Sequence, residues 1–236
     1  MVKVFKNLDE LSHAAATLFT QTAQQAIAER GRFTVALTGG SSPAHLYKLL
    51  TQSPYQEQIA WERVFVFWGD ERWVPLEDDK SNAKMAFETL LNHVPIPREQ
   101  LFPMWAAGVE PTEFAAQYAR TIQQHVGASP QFDFVLLGMG EDGHTASLFP
   151  NTSVLQEKSK WVDAYYLAPQ HMYRITLTAP ILNQAKKIAV IVFGENKAQA
   201  LYEVLKGKRN PAQYPAQLIQ PQHGELIWLV DQAANR

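Results

Sequence analysis

Short apolar runs constrain the fold of this chain more than any other feature of its sequence. They span residues 33–37, 64–68, 132–137 and 187–193, and each contains few polar residues. Runs of this length, without alternation between apolar and polar positions, are typical of strands buried on both faces, as in a parallel sheet. Segments with helical periodicity lie between them. We therefore expect an α/β fold, with a mostly parallel sheet covered by helices on both faces.

Capping residues and helix breakers mark where the helices should begin and end. Asn7, with Glu10 three positions later, resembles a capping box and begins a helix that should end near Gly31. Ser42 should cap the next helix, with Pro43 at its first position. Four more helices are expected: one over 81–91 capped by Ser81, one that runs to about Val126, a short one opened by Pro180, and one over 196–206. Extended segments are expected at 2–5, 161–167, 174–178, 218–221 and 225–230. Residues 93–111 should form a loop with one short strand.

Length and charge set broad limits on the function. A chain of 236 residues can bury one large core, and no repeat or linker divides it, so we expect a single domain over residues 1–236. The formal net charge of −2 gives no general attraction to nucleic acid or to an anionic membrane surface. The chain has no cysteine, which excludes disulfides and thiolate metal sites.

Nothing in the sequence predicts a membrane-spanning or secreted protein. No segment approaches the roughly 20 apolar residues of a membrane span, and the first residues, Met-Val-Lys-Val-Phe-Lys-Asn, lack the apolar region of a signal peptide. We therefore expect a cytoplasmic protein. Separately, we expect it to act on a small molecule, as a monomer or a weak homodimer.

Three of the apolar runs lead directly into loops rich in glycine and polar residues. These loops span residues 38–43, 69–72 and 138–150. In parallel sheets, such loops lie at the carboxyl ends of the strands, where ligands bind. We therefore expect the three loops to meet in one site.

The loop over 38–43, Thr-Gly-Gly-Ser-Ser-Pro, has the composition of an anion-binding turn. Gly39 and Gly40 allow backbone N–H groups to turn towards a ligand, and the following helix adds the positive end of its dipole. Ser41 and Ser42 add hydroxyl donors. The loop is not a P-loop, because the Gly-Lys-Ser/Thr ending is absent. The structural alternative is a tight strand-to-helix turn with a serine cap.

The loop over 138–150 holds Glu141, Asp142 and His144 within four positions. Histidine is the side chain whose ordinary pKa suits proton transfer near neutrality, and Asp142 could orient its ring. Gly143 between them permits a sharp turn. The structural alternative is a histidine that bonds only backbone carbonyls. The other six histidines have no such neighbours and are expected to be surface or packing residues: 13, 45, 93, 125, 171 and 223.

Two further interpretations of the same loop fit less well. Gly138, Gly140 and Gly143 match the dinucleotide fingerprint, but Pro150 follows too soon for the helix that a nucleotide-binding unit requires. The three titratable side chains could suggest a metal site, but three ligands at this spacing from one tight loop are geometrically awkward. We expect neither a cofactor nor a metal.

A carboxylate and several cations lie at the ends of other elements. Asp70, after the run over 64–68, could orient a substrate or a neighbouring loop, and Arg72 could bind a phosphate or carboxylate through a two-pronged contact. The alternative is a local ion pair that caps the loop. Arg174 and Lys197 each start an element and are further candidates, with solvation as the alternative.

Seven motifs follow one another along the chain: Leu-Thr-Gly-Gly-Ser-Ser-Pro (37–43), Trp-Gly-Asp-Glu-Arg-Trp-Val-Pro (68–75), Ser-Asn (81–82), Leu-Gly-Met-Gly-Glu-Asp-Gly-His-Thr-Ala-Ser-Leu-Phe-Pro (137–150), Arg-Ile-Thr-Leu-Thr (174–178), Gly-Glu-Asn-Lys (194–197) and Gly-Glu-Leu-Ile-Trp-Leu-Val-Asp (224–231). Together they resemble the 6-phosphogluconolactonase family. The resemblance covers nearly the whole chain, and the long motif that contains the histidine is highly specific.

The resemblance implies a three-layer α/β/α sandwich with a mostly parallel, Rossmann-like sheet, the fold shared with glucosamine-6-phosphate isomerases. It also implies hydrolysis of 6-phospho-D-glucono-1,5-lactone in the oxidative pentose phosphate pathway, without a cofactor. Carried onto this sequence, His144 activates water, and Asp142 and Asp70 complete the catalytic group. The substrate and phosphate groups are then Gly39, Gly40, Ser41, Ser42, Arg72, Arg174 and Lys197.

Two rival functions share this fold. Amino-sugar-phosphate isomerases and deaminases carry Asn-Glu-Pro after the Gly-His pair, whereas this chain has Leu148-Phe149-Pro150 and lacks the carboxylate that ring opening needs. A non-catalytic sugar-phosphate sensor usually carries a DNA-binding or partner domain, and the sequence shows neither that nor a basic patch. One segment departs from the family pattern: Ala-Pro-Gln-His-Met-Tyr (168–173) stands where a Pro-Lys-Pro type segment often occurs.

Overall fold

The computed structural model describes all 236 residues of the chain. Its strands, in chain order, are β1 (Val2–Phe5), β2 (Phe33–Leu37), β3 (Val64–Trp68), β4 (Asp70–Arg72), β5 (Leu101–Phe102), β6 (Phe134–Gly138), β7 (Val162–Leu167), β8 (Met172–Leu177), β9 (Lys187–Val192) and β10 (Glu225–Asp231). Its α-helices are α1 (Leu8–Arg30), α2 (Ser41–Leu50), α3 (Asn82–Ala86), α4 (Pro111–Val126), α5 (Ala179–Leu182) and α6 (Ala198–Leu205).

Seven strands form one parallel sheet, in the order β1-β10-β9-β6-β2-β3-β5. Helices cover both of its faces, so the expected α/β fold with a mostly parallel sheet is confirmed. The central strands are buried on both faces, as every residue of β2 shows. Strands β9, β6, β2 and β3 are consecutive neighbours. The segments that follow them therefore emerge side by side at the carboxyl edge of the sheet.

A second sheet, of three antiparallel strands in the order β4-β8-β7, corrects the expectation that residues 69–72 form a loop. In its register, Arg72 of β4 lies opposite Arg174 of β8. A three-residue strand made only of charged residues carries none of the β-branched or aromatic signal that identifies strands in a sequence. The segments predicted at 161–167 and 174–178 do form strands, but they belong to this small sheet rather than to the parallel one.

Three helix ends coincide with the predicted end residues Asn7, Gly31 and Ser81. The Asn7 side chain accepts a hydrogen bond from the Glu10 N–H at 3.0 Å, and α1 ends at Gly31, whose φ is +73°. Ser81 caps α3 with its side chain, and the chain continues helically to Leu91 through a π-helical turn.

The predicted start of α2 was wrong by two residues. The helix begins at Ser41 and follows Gly40, whose φ of +108° lies in the region that favours glycine. Ser42 is therefore not the cap, and Pro43 lies at the third helical position rather than the first. No side chain caps the helix, so the glycine conformation sets its start.

Towards the carboxyl terminus, no strand forms over the extended segment predicted at 218–221, although the backbone of Ile219 is extended. A 3₁₀ turn over Pro215–Leu218 occupies its start, because the ring of Pro215 fixes φ in the range that helical turns use. The strand predicted at 225–230 is confirmed as β10. None of the helices combines the length and the apolar character needed to cross a bilayer.

At the amino edge of the sheet, opposite the functional loops, one buried carboxylate connects three elements. Asp133 accepts hydrogen bonds from the N–H and the hydroxyl of Thr34 at 2.9 and 3.0 Å, and from Arg30 and Lys186 at 2.9 and 3.0 Å. It thereby joins the end of α1, the start of β2 and the approach to β9. Removing such a carboxylate leaves a buried N–H and two cationic groups without their partner.

We predict that Asp133→Ala lowers the free energy of unfolding by about 3 kcal/mol, because it removes a buried carboxylate together with the four hydrogen bonds that it accepts. Urea unfolding of the variant and the native chain measures the difference. Asp79→Ala removes an exposed carboxylate that pairs with Lys84, so this control should leave the unfolding midpoint unchanged. Equal midpoints for the two variants would contradict the role assigned to Asp133.

Candidate active site

The predicted loops surround one cavity of about 490 Å³ at the carboxyl edge of the parallel sheet. Its volume suits a small-molecule ligand. Asp142 is the one predicted site residue that does not line the cavity, and it contacts His144 instead. The predicted residues that do line it are Gly39, Gly40, Ser41, Ser42, Asp70, Arg72, His144, Arg174 and Lys197.

A hydrogen bond between His144 and Asp142 fixes the imidazole at the cavity wall. Nδ1 of His144 lies 2.6 Å from Oδ1 of Asp142, and the backbone N–H of His144 donates to the same oxygen at 3.1 Å. Burial raises the pKa of Asp142, but the hydrogen bond and the charge interaction with His144 outweigh this effect and hold the pKa below its ordinary value. The ionised carboxylate can only accept, so in the neutral imidazole Nδ1 carries the proton and Nε2 has a lone pair, which faces no protein donor.

Two glycines shape the backbone around this pair. A Cβ at Gly140 would lie 2.1 Å from Nδ1 of His144, so only glycine leaves room for the ring. Gly143 has a φ of +74°, in the left-handed region. The Gly140 N–H donates to the carbonyl of His144 at 2.8 Å and closes the turn. No helix follows Gly143 directly, in agreement with the rejection of a dinucleotide site.

Asp70, the third predicted catalytic residue, contacts Ser147 and Arg174. Its Oδ2 accepts a hydrogen bond from the buried Ser147 hydroxyl at 2.6 Å and lies 3.9 Å from Nη1 of Arg174. No hydrogen bond joins Asp70 to His144. The sequence gives no signal for Ser147, because its partner lies 77 positions away along the chain.

The register of the small sheet places two arginines side by side. Arg72 and Arg174 are cross-strand neighbours, and both side chains reach the cavity. Burial lowers the pKa of Arg174; the carboxylate of Asp70 opposes this effect, and the charge of Arg72 adds to it. Like charges at opposite cross-strand positions destabilise a sheet, so an anionic ligand beside them would relieve an unfavourable interaction.

Asn82 connects three parts of the site. Its amide donates to the carbonyl of Asp70 at 2.9 Å, and its Oδ1 accepts a hydrogen bond from Arg72. A Cβ at Gly39 would lie 1.8 Å from the same Oδ1, so this close approach requires glycine. In the sequence, Asn82 is notable only through the family resemblance, because nothing near it in the chain indicates these partners.

Glu71 fixes β4 to the start of α3. Its buried carboxylate accepts hydrogen bonds from the backbone N–H groups of Asn82 and Ala83 at 2.7 and 2.8 Å, and from the Ser81 hydroxyl at 3.1 Å. Burial raises the pKa of Glu71 to about 7, although these donors favour the ionised form. The partner of this carboxylate is therefore a helix N-terminus rather than the Arg72 guanidinium.

The start of α2 and one lysine supply further donors to the cavity. Because α2 has no side-chain cap, the N–H groups of Ser41 and Ser42 are open to a ligand, as the first N–H groups of a helix are. Lys197 donates to the carbonyl of Met139 at 2.9 Å, which holds its ammonium group at the cavity wall.

The remaining titratable groups make no hydrogen bond to His144, Asp70 or the two arginines of the cavity. Glu141 lines the cavity but accepts a hydrogen bond from Asn196 at 2.6 Å. Nowhere in the chain do three or more His, Cys, Asp or Glu side chains come together in a way that could hold a metal ion. The six histidines expected to be surface or packing residues all lie away from the cavity.

Phe149 and Gln170 also line the cavity, and the sequence alone assigned neither side chain to the site. The Phe149 ring stacks on the imidazole of His144, with ring centroids 4.0 Å apart and planes 21° from parallel. The guanidinium carbon of Arg174 lies 5.3 Å from the centroid of the same ring. Gln170 accepts a hydrogen bond from Arg174 and belongs to the segment that departs from the family pattern.

Known proteins resemble this chain over its full length. Residues 6–228 match the family model described as glucosamine-6-phosphate isomerases/6-phosphogluconolactonase. A 6-phosphogluconolactonase of Synechocystis sp. is 41% identical, covering 99% of this chain and 96% of the relative. A probable 6-phosphogluconolactonase 1 of Arabidopsis thaliana is 36% identical, covering 99% and 92%. The solved structure of Trypanosoma brucei 6-phosphogluconolactonase has a TM-score of 0.85 at 27% identity, covering 99% and 97%.

These matches span the strands and loops that form the cavity as well as the helices that cover the sheet. The family model alone covers far more than half of the chain. The chain therefore belongs to the glucosamine-6-phosphate isomerase/6-phosphogluconolactonase family.

Proposed function

We propose that the chain hydrolyses 6-phospho-D-glucono-1,5-lactone to 6-phospho-D-gluconate in the oxidative pentose phosphate pathway, in the cytoplasm and as one domain over residues 1–236. The full-length relatives described as 6-phosphogluconolactonases support this activity. One observation carries the proposal: an imidazole bonded to a carboxylate faces a cavity whose wall also carries two arginines, a lysine and a helix start. A base beside a binding site for a distant anion is what hydrolysis of a phosphorylated lactone requires.

His144 is the proposed general base. Its Nε2 removes a proton from water as the water oxygen attacks the lactone carbonyl carbon C1. Asp142 holds the ring and stabilises the imidazolium that forms. When the tetrahedral intermediate collapses, the bond between C1 and the ring oxygen breaks, and the proton passes from Nε2 to the departing oxygen. A δ-lactone is an activated ester, so no covalent nucleophile is needed.

The substrate phosphate is the proposed ligand of Arg72, Arg174, Lys197 and the turn over residues 39–42. Arginine gives a phosphate two-pronged contacts, and a helix start gives it N–H donors. Binding of this remote group fixes the lactone ring so that the water oxygen lies at the distance and angle needed to attack the carbonyl carbon. Asp70 is proposed to position Arg174 rather than to transfer a proton, because its contacts are with Arg174 and a serine hydroxyl.

The rival isomerase and deaminase activities have less support. They need a carboxylate for ring opening, and Leu148-Phe149-Pro150 supplies none. A non-catalytic sensor would not require an imidazole held by a carboxylate with its other nitrogen free. Lactone hydrolysis accounts for these residues better than either rival.

Proton release from freshly generated 6-phosphogluconolactone, followed by stopped flow, tests the activity. Spontaneous hydrolysis is measured without protein and subtracted. The proposal expects proton release that rises in proportion to the concentration of the chain. Release at the spontaneous rate, whatever that concentration, would contradict it.

We predict that His144→Ala lowers kcat by about 10²-fold or more, the lower end of what general-base assistance contributes. Affinity for 6-phosphogluconate, measured by calorimetry, should change little, because the phosphate donors remain. His223→Ala removes an exposed histidine outside the cavity and is the control. A near-normal kcat in His144→Ala would remove His144 from the mechanism.

We predict that Gly140→Ala lowers kcat by about 10²-fold, because its Cβ would displace the imidazole from Asp142. Gly138→Ala adds the same methyl group two residues earlier, at the end of β6 and at the cavity wall, where no heavy atom lies within 4 Å of the added Cβ. Steady-state kinetics of this control should give a kcat close to that of the native chain. Similar kcat values for the two variants would show that position 140 does not require glycine.

We predict that Arg72→Ala raises KM for the phosphorylated lactone roughly tenfold, because charge-assisted hydrogen bonds to the phosphate are lost. KM for unphosphorylated glucono-1,5-lactone should stay nearly unchanged. Arg63→Ala, which removes an exposed arginine outside the cavity, is the control. Equal losses on the two lactones would mean that Arg72 does not bind the phosphate.

A further inference from the structure

Phe149 is a buried aromatic residue that does not join the main hydrophobic core. Only 7% of the residue is exposed, yet it stands outside the continuous cluster of buried apolar side chains. Its ring instead packs against two functional groups of the cavity, the imidazole of His144 and the guanidinium of Arg174. A ring placed in this way contributes to the geometry of the site rather than to the core.

The contact with His144 restrains a motion that the other contacts of the imidazole leave free. The hydrogen bond to Asp142 fixes Nδ1 at one corner of the ring, but the ring can still tilt about that bond. Gly140 packs against the Nδ1 and Cε1 atoms. The nearly parallel Phe149 ring supplies a flat surface at 4.0 Å, which opposes the tilt and fixes the direction of Nε2.

The contact with Arg174 connects the Phe149 ring to the proposed phosphate site, while the same ring packs against the proposed base, His144. The guanidinium carbon lies 5.3 Å from the ring centroid, within the range of cation–π attraction. Gln170 and Asp70 hold the same guanidinium through its terminal nitrogens. One rigid ring therefore contacts both the group that activates water and a group that binds the substrate anion.

We propose that Phe149 is a positioning residue, whose ring holds the imidazole of His144 at a fixed orientation relative to the guanidinium of Arg174. This assignment rests on the proposed lactonase function and deepens it. A displacement of about 1 Å in a reacting group costs up to about 10²-fold in rate. Loss of the ring acts on kcat more than on KM, because Arg174 keeps Gln170 and Asp70 as partners while His144 loses its flat support.

The kinetics of Phe149→Leu and Phe149→Tyr test this role, since leucine keeps apolar volume and tyrosine keeps the ring. Phe149→Leu should lower kcat about tenfold or more with KM within about threefold, and Phe149→Tyr should keep kcat within about threefold. Phe87→Leu is the matched control, because it removes another ring with an arginine over it, Arg98 at 5.5 Å, away from the cavity. A native kcat in Phe149→Leu, equal losses in both Phe149 variants, or a change confined to KM would overturn the proposal.

An NMR measurement separates this inference from the proposed activity. The Nδ1–H signal of His144, assigned by its absence in His144→Ala, should be protected in the native chain and in Phe149→Tyr. In Phe149→Leu it should broaden through exchange with water. An unchanged signal in Phe149→Leu would overturn the positioning role even if the chain hydrolyses the lactone. The expected spectra together with no lactone hydrolysis would support the positioning role and overturn the proposed activity alone.

Discussion

The site depends on the constraint that parallel strands end at a common edge. In this sheet β9, β6, β2 and β3 are neighbours, although long stretches of chain separate them. From β2, the chain adds its next neighbour, β3, towards one edge of the sheet; from β6, it adds β9 towards the other edge. The crevice at this reversal of strand order is the place where α/β sheets bind ligands. The imidazole from the segment after β6 and the donors at the start of α2 meet there.

The polar groups at this edge are held in arrangements that are unfavourable for stability. Arg72 and Arg174 lie opposite each other, and the buried Nε of Arg174 has no protein partner. Burial also raises the pKa of Glu71 to about 7. A bound anion would neutralise the arginine pair, so binding recovers part of the stability that the site gives up. At the opposite edge, Asp133 accepts four hydrogen bonds and has no like charge beside it. The unfavourable arrangements therefore lie at the edge with the cavity, and the stabilising carboxylate lies at the other edge.

The parts of the structure that the sequence predicts are those set by local interactions. Buried strands and side-chain caps depend on residues a few positions apart, so the run over 33–37 and the caps Asn7 and Ser81 could be identified. The loop around His144 was conspicuous, because its tight backbone requires glycines at fixed spacings. Strand β4 could not be predicted, because its three charged residues become a strand only by pairing with β8, far along the chain.

The roles of several side chains in the site likewise depend on distant partners. Asn82 contacts groups on two other segments, and Ser147 bonds a carboxylate contributed by β4. Phe149 resembles any apolar residue near a proline until the fold places its ring on an imidazole and a guanidinium. Motif reasoning therefore locates the reacting groups more readily than the residues that orient them.

The proposed chemistry depends on one arrangement, in which the His144 imidazole lies beside the lactone carbonyl while separate donors bind the phosphate. A crystal structure of the chain with bound 6-phosphogluconate tests it most directly. We expect a phosphate against Arg72 and the start of α2, with C1 within about 3 Å of Nε2 or joined to it through one water. A phosphate bound beside His144, or a C1 remote from Nε2 with no bridging water, would contradict it.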